Sequence, residues 1–225
     1  MRLVVTHLTR MRVGFVCVAG MDPSTGAHVR PVVPGRRLRR AEIEIGGTEI
    51  VVGTELDLGT VTPVPSPPEV EDHAFVPSDA RRVSDWPSAD LASFLRSHAA
   101  SSLHDIFGAG LESDGATASM AVGAGPASLG CLAPPVRPTI SIDAYDKVKL
   151  ALDDGGKRLS VTVADLRLYE ADQKTPDAAA VRRLQADLEG ESEVFLAVGL
   201  SRPFAKAGGA PRHWLQINNV HVFTK

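Results

Sequence analysis

Two short stretches at opposite ends of the chain carry the side chains best suited to hold an anion. Near the start, Val5-Thr6-His7-Leu8-Thr9-Arg10 is an apolar run closing on Leu, a hydroxyl and an Arg. Near the end, Val198-Gly199-Leu200-Ser201-Arg202 repeats that pattern and runs on into Pro203 and Phe204. A guanidinium donates in a plane to two oxygens, and a neighbouring hydroxyl adds a third donor; such a set grips a phosphate or a carboxylate. Thr9, Arg10, Ser201 and Arg202 are the leading candidates, with Thr6, His7 and Phe204 in the same stretches and Arg30, before Pro31, as a weaker third instance.

His213-Trp214-Leu215-Gln216-Ile217-Asn218 adds a second kind of chemistry. Strand alternation puts His213, Leu215 and Ile217 on one face and Trp214, Gln216 and Asn218 on the other. An aromatic followed by two amides can stack a base and read its edge. A bland reading stands beside each of these. The Arg residues could pair with carboxylates such as Glu71 or Asp72, and Trp214 could be a core residue whose indole N–H is satisfied locally.

Other chemistries find little support. The seven His show no His-Glu-x-x-His spacing, and Cys17 and Cys131 are far apart, so no metal site is predicted. Cys17, inside the apolar run Val13–Val18, reads as a buried, inert thiol. There is no Gly-x-Ser-x-Gly elbow, phosphate loop or dinucleotide fingerprint, and no cofactor is called for. The Glu71-Asp72-His73 cluster, or His7 and His213, could serve as acid and base in a small enzyme acting on a phosphorylated or nucleotide substrate.

The net charge of −3 over 225 residues excludes a global cationic field; nucleic-acid binding would need a local basic face, such as Arg36, Arg37, Arg39 and Arg40. No apolar run approaches the length of a membrane helix and the N-terminus has no signal-peptide pattern, so a soluble cytoplasmic protein is expected.

The elements that must position these residues read as mostly β. Strands are predicted at Leu3–Leu8, Val13–Val18, His28–Val33, Glu42–Ile45 and Leu56–Val61, with Gly and Pro turns between them. Pro63–Pro68 is a stiff connector. Helices capped by Ser88 and by Ser101 or Ser102 come next, then a featureless, exposed loop over Glu112–Ser128. Further strands are predicted at Thr139–Ile142, Tyr145–Leu152, Arg158–Val163, Val194–Leu200 and His213–Phe223, with a hairpin turn at Asp153–Gly156. A helix capped by Thr175 precedes the last two. The expected fold is a β-rich α+β chain of two small OB-like barrels: residues 1–80, a helical and loop connector over 81–137, and residues 138–225 with one helix.

On Thr6–Met11, Val16–Gly20, Val29–Val32, Pro67–Asp72, Ser128–Gly130, Val198–Phe204 and His213–His221 the chain resembles a bacterial family of dual OB-containing domain proteins associated with conflict and defence systems. That resemblance implies two OB-like barrels binding a nucleic acid or nucleotide-like ligand, with no established enzymatic activity. The function expected is thus a module that binds a nucleotide or short single-stranded nucleic acid. Arg10, Arg30 and Arg202 would hold phosphates, Thr9 and Ser201 would add donors, and Trp214, Gln216 and Asn218 would contact a base. An operon-encoded protein partner, docking on the proline arm or the 112–128 loop, is the remaining expectation.

Overall fold

In the computed structural model, which describes residues 1–45, 47–206 and 208–224, the chain opens with β1 (Arg2–Arg10), β2 (Val16–Met21) and β3 (His28–Val32). After them come β4 (Glu44–Ile45), β5 (Thr48–Glu49), β6 (Thr54–Asp57), β7 (Thr62–Pro63), β8 (Asp72–Ala74) and β9 (Arg81–Asp85). Two helices, α1 (Ser88–His98) and α2 (Leu103–Phe107), lead to β10 (Glu112–Asp114), β11 (Thr117–Ala121) and β12 (Leu129–Leu132). The remainder is β13 (Thr139–Ile142), β14 (Val148–Asp154), β15 (Lys157–Val163), α3 (Ala178–Glu189), β16 (Ser192–Leu200) and β17 (Arg212–Thr224).

Apart from the β4–β5 pair, the strands make two sheets. The first runs β7-β8-β3-β2-β1-β6-β9, so the strand ending in Thr9-Arg10 is internal to it. The second runs β10-β11-β17-β15-β14-β13, with β16 also paired to β17 and β12 to β16. Each half holds its own apolar core, one around Leu3, Val18, Ile50 and Leu56, the other around Leu132, Leu150, Val163 and Ile217. A third cluster (Val4, Met21, Leu91, Leu95, Cys131 and Phe195) draws on both sheets and on α1. Burial of that seam fixes one sheet against the other.

The class is β-rich α+β, as the alternation implies. Among the described residues neither sheet closes into a barrel. The Asp153–Gly156 turn forms as predicted: Gly155 and Gly156 both take positive φ (59° and 80°) between Asp154 and its partner Lys157.

Several local expectations need correction. Glu112–Ser128 is no featureless loop: β10 and β11 form a hairpin there around Gly115 (φ 57°), and β11 adds to β17 with Ala118 and Met120 buried. The Asp-Gly pair was a hairpin signal hidden by the small residues around it. Glu42 is not in a strand, because its carboxylate accepts the Arg39 amide and both Arg36 Nη groups, which winds Arg40–Ile43 into a 3₁₀ turn. Helix α3 starts later than expected. Asp177 caps it by accepting from Ala179 and Ala180, while the Thr175 hydroxyl is drawn off to Asp172.

Candidate nucleotide-binding cleft

The two terminal motifs meet. Asn219 of β17 bonds the backbone of Leu8, and the Arg10 amide donates to Ala164 O at 2.8 Å, just beyond β15. Thr9, Arg10, Arg30, Ser201, Arg202, Gln216 and Asn218 consequently line one cleft of about 460 Å³. Its floor is apolar, from Val16, Val18, Leu129 and Leu200, and Arg36 and Arg37 stand at its edge. Cys17 lines it as well and is half-buried rather than sealed in the core.

The three candidate Arg residues are not equivalent. Arg30 is buried, and its Nε donates to Asp72 Oδ1 at 2.5 Å. Arg202 is 53% exposed; its Nη2 donates to Asp72 Oδ2 at 2.8 Å and its Nη1 lies 2.9 Å from Glu69 Oε1. For these two, the carboxylate-pairing reading holds, with Asp72 and Glu69 as the partners. Arg10 differs. Its guanidinium stacks on the Tyr169 ring at 3.9 Å and Nη1 donates to Gln173 O at 3.0 Å, and among the described residues no carboxylate pairs with it. It therefore keeps its charge uncompensated at the cleft wall.

Trp214 sits in a neighbouring hollow of about 180 Å³ with Phe204, Lys149 and Lys206, and this hollow shares Ser201 and Gln216 with the main cleft. On the predicted face of β17, Trp214 and Gln216 are half-buried, whereas Asn218 is buried at a register shift in the β16–β17 pairing and accepts from Gln216 Nε2 through its Oδ1 at 2.8 Å. The indole N–H is satisfied locally by Phe204 O at 3.1 Å, and Lys206 Nζ lies over the ring, 3.3 Å from its centroid. Ser201 Oγ accepts the Trp214 amide, which ties the two motifs together.

Four further candidates are placed as structure. Thr6 and His7 are buried and bonded to each other at 2.8 Å, away from both clefts, and burial holds His7 well below its usual pKa. His213 is buried, and its Nδ1–H donates to Ser201 O at 2.9 Å. Glu71 is spent on Ser128 and Leu129. The acid–base roles considered for His7, His213 and Glu71 thus gain no geometry from the cleft linings. Among the described residues no group of three His, Cys, Asp or Glu is placed to hold a metal ion, and no helix is long and apolar enough to cross a membrane.

Sequence reasoning missed most of the residues that frame the cleft: Glu69 as a partner of Arg202, Tyr169 and Gln173 as the seat of Arg10, and Lys149 and Lys206 beside Trp214. Only Asp72 carried a signal, as a carboxylate that Arg could pair with.

No known protein family and no curated protein matches this chain. One solved structure, described as a murine DNA-binding protein bound with double-stranded DNA, aligns over 100% of this chain and 98% of its own at 8% identity, with a TM-score of 0.33. A TM-score that low carries no argument about the fold or the ligand.

Proposed function

We propose that the chain is a binding module for a nucleotide or short single-stranded nucleic acid, held in the cleft between the two terminal motifs. The observation that carries this is the position of Arg10: an uncompensated guanidinium on the wall of a cleft of about 460 Å³, across from Ser201, Arg202, Gln216 and Asn218. Arg10 and the exposed end of Arg202 would take the phosphate, Ser201 and Thr9 supply hydroxyls, and Gln216 and Asn218 offer amides to a base edge. Arg30, buried on Asp72, would position Asp72 and through it Arg202 rather than touch the ligand. We also read the two sheets as OB-like units of the dual OB-containing domain kind, on the sequence motifs alone.

Fluorescence titration of nucleotides and labelled single strands is the test. Arg10→Ala should weaken binding at least tenfold, since a hydrogen bond to a charged group is worth about 1.5–3 kcal/mol. Binding that is absent in the parent protein, or unchanged in Arg10→Ala, overturns the proposal.

A further inference from the structure

The hollow beside Trp214 holds two ammonium groups with no ion-pair partner among the described residues. Lys149 Nζ donates to Thr162 Oγ1 at 2.8 Å and Lys206 lies over Trp214; Asp143 and Asp114 act on them at a distance without closing to an ion pair. Burial, and then repulsion from Lys149, lower the pKa of Lys206. Two like charges sharing a hollow of about 180 Å³ with the hydroxyl residues Thr117, Ser160, Thr162 and Ser201 form an environment that an anion would relieve.

This hollow adjoins the main cleft. Both are lined by Ser201 and Gln216, and along β17 the side chains of Trp214, Gln216 and Asn218 succeed one another on one face, about 6.8 Å per two residues. A ligand whose first phosphate sits at Arg10 and Arg202 can therefore continue over Gln216 toward Lys149 and Lys206. Lys206 Nζ covers one face of the Trp214 ring. Were it to swing to a phosphate, it would free that face for stacking.

We propose that the Lys149–Lys206–Trp214 hollow is a second subsite for the next nucleotide of a single strand, so that the ligand is an oligonucleotide rather than a mononucleotide. This rests on the binding reading above and goes further by naming an oligonucleotide, spanning both hollows, as the ligand. A free nucleotide would fill the Arg10 cleft alone and leave both Lys unpaired.

The test compares thymidine monophosphate with fluorescent oligothymidylate and oligouridylate, on the parent protein, on Lys149→Ala with Lys206→Ala, and on Trp214→Leu. The oligonucleotides should bind at least tenfold tighter than the monophosphate. The double Lys variant should abolish that gain while leaving monophosphate affinity unchanged. Its salt slope for oligonucleotide should be shallower by about 0.7 for each phosphate that a Lys no longer neutralises. Trp214→Leu should cost roughly fivefold or more in oligonucleotide affinity, as one base stack is worth about 1–3 kcal/mol. Equal affinity for mononucleotide and oligonucleotide, or full oligonucleotide affinity in the Lys variant, overturns the second subsite while leaving the Arg10 cleft intact. Failure of every probe to bind the parent protein removes both proposals.

Discussion

Asn219 Oδ1 accepts the Leu8 amide at 2.5 Å, and Asn219 Nδ2 donates back to Leu8 O at 3.4 Å. A fully buried side-chain amide from the last strand thereby does for the first strand what a backbone neighbour would do, across 211 residues of sequence. The two Arg-bearing motifs face one cleft because of this seam. Asn219→Leu would leave the Leu8 N–H unpaired in the interior, at a cost of about 1–3 kcal/mol. Urea denaturation should show a lower midpoint at unchanged slope; an unaltered midpoint would mean that the seam is held by apolar packing alone.

Asp72 separates the two motif arginines into a structural and a surface role. Its Oδ1 takes Arg30, which has almost no exposure, and its Oδ2 takes Arg202, whose side chain is half in solvent. Asp72→Ala strands the buried Arg30 guanidinium and should destabilise by about 3–5 kcal/mol. Arg202→Ala removes a half-exposed guanidinium but leaves the buried Glu69 carboxylate without its Arg partner, and should cost about 1–3 kcal/mol, less than Asp72→Ala. Thermal melting of the two variants side by side checks this ordering, and equal losses would refute it.

Two buried histidines and the half-buried His28 make stability fall with acid. Burial first, then the neighbouring His98, lowers His28 to about 4; burial, then Arg167, lowers His221 to about 4; His7 is shifted in the same direction and packs edge-on against His28. The unfolded chain titrates these groups near 6.5, so between about pH 6.5 and 4 it binds more protons than the folded one. Their contribution is complete above pH 6.5 and is lost as pH falls toward 4. Urea midpoints measured across that window should drop steadily, and His28→Gln should flatten part of the drop. A pH-independent midpoint from 6.5 to 4 would contradict the assignment.

What the sequence revealed and what it hid follow a physical divide. Strand alternation in His213–Asn218 is local, and the structure keeps it: Leu215 and Ile217 point into the core while Trp214 and Gln216 line the hollow. The Leu-hydroxyl-Arg endings of β1 and β16 were legible for the same reason. Of their pairing partners Asp72 was legible only as one of two possible carboxylates and Gln173 not at all, because Asp72 reaches Arg202 over 130 residues and Gln173 reaches Arg10 over 163. Sheet closure is likewise a long-range matter. Short strands with Gly turns fit a barrel or an open sheet equally well, and the open sheets here depend on how the Val4–Phe195 seam packs. Lys149 and Lys206 had no motif to betray them: the β14–β15–β17 arrangement brings Lys149 to Trp214, and the turn between β16 and β17, closed by the Phe204–Arg212 bridge, brings Lys206.

Glu71 supplies a further tie between the halves, and its loss should reach the cleft. One carboxylate oxygen accepts the Ser128 and Leu129 amides at 2.8 and 3.0 Å, and the other accepts the Ser128 hydroxyl at 2.8 Å. Leu129 pairs with Gly199, and Ser128 O accepts the Leu200 amide, so this carboxylate fixes the strand end that carries Ser201 and Arg202. Glu71→Ala leaves two buried amides without acceptors and should cost about 3 kcal/mol or more. Glu71→Gln keeps one acceptor oxygen for the amides and turns its NH₂ to the Ser128 hydroxyl, which can accept, so it should lose less. A double-mutant cycle with Ser128→Ala should return a coupling of about 0.5–3 kcal/mol. If the pair does not couple, the clamp is a bystander, and Arg202 must be positioned by Asp72 and Glu69 alone.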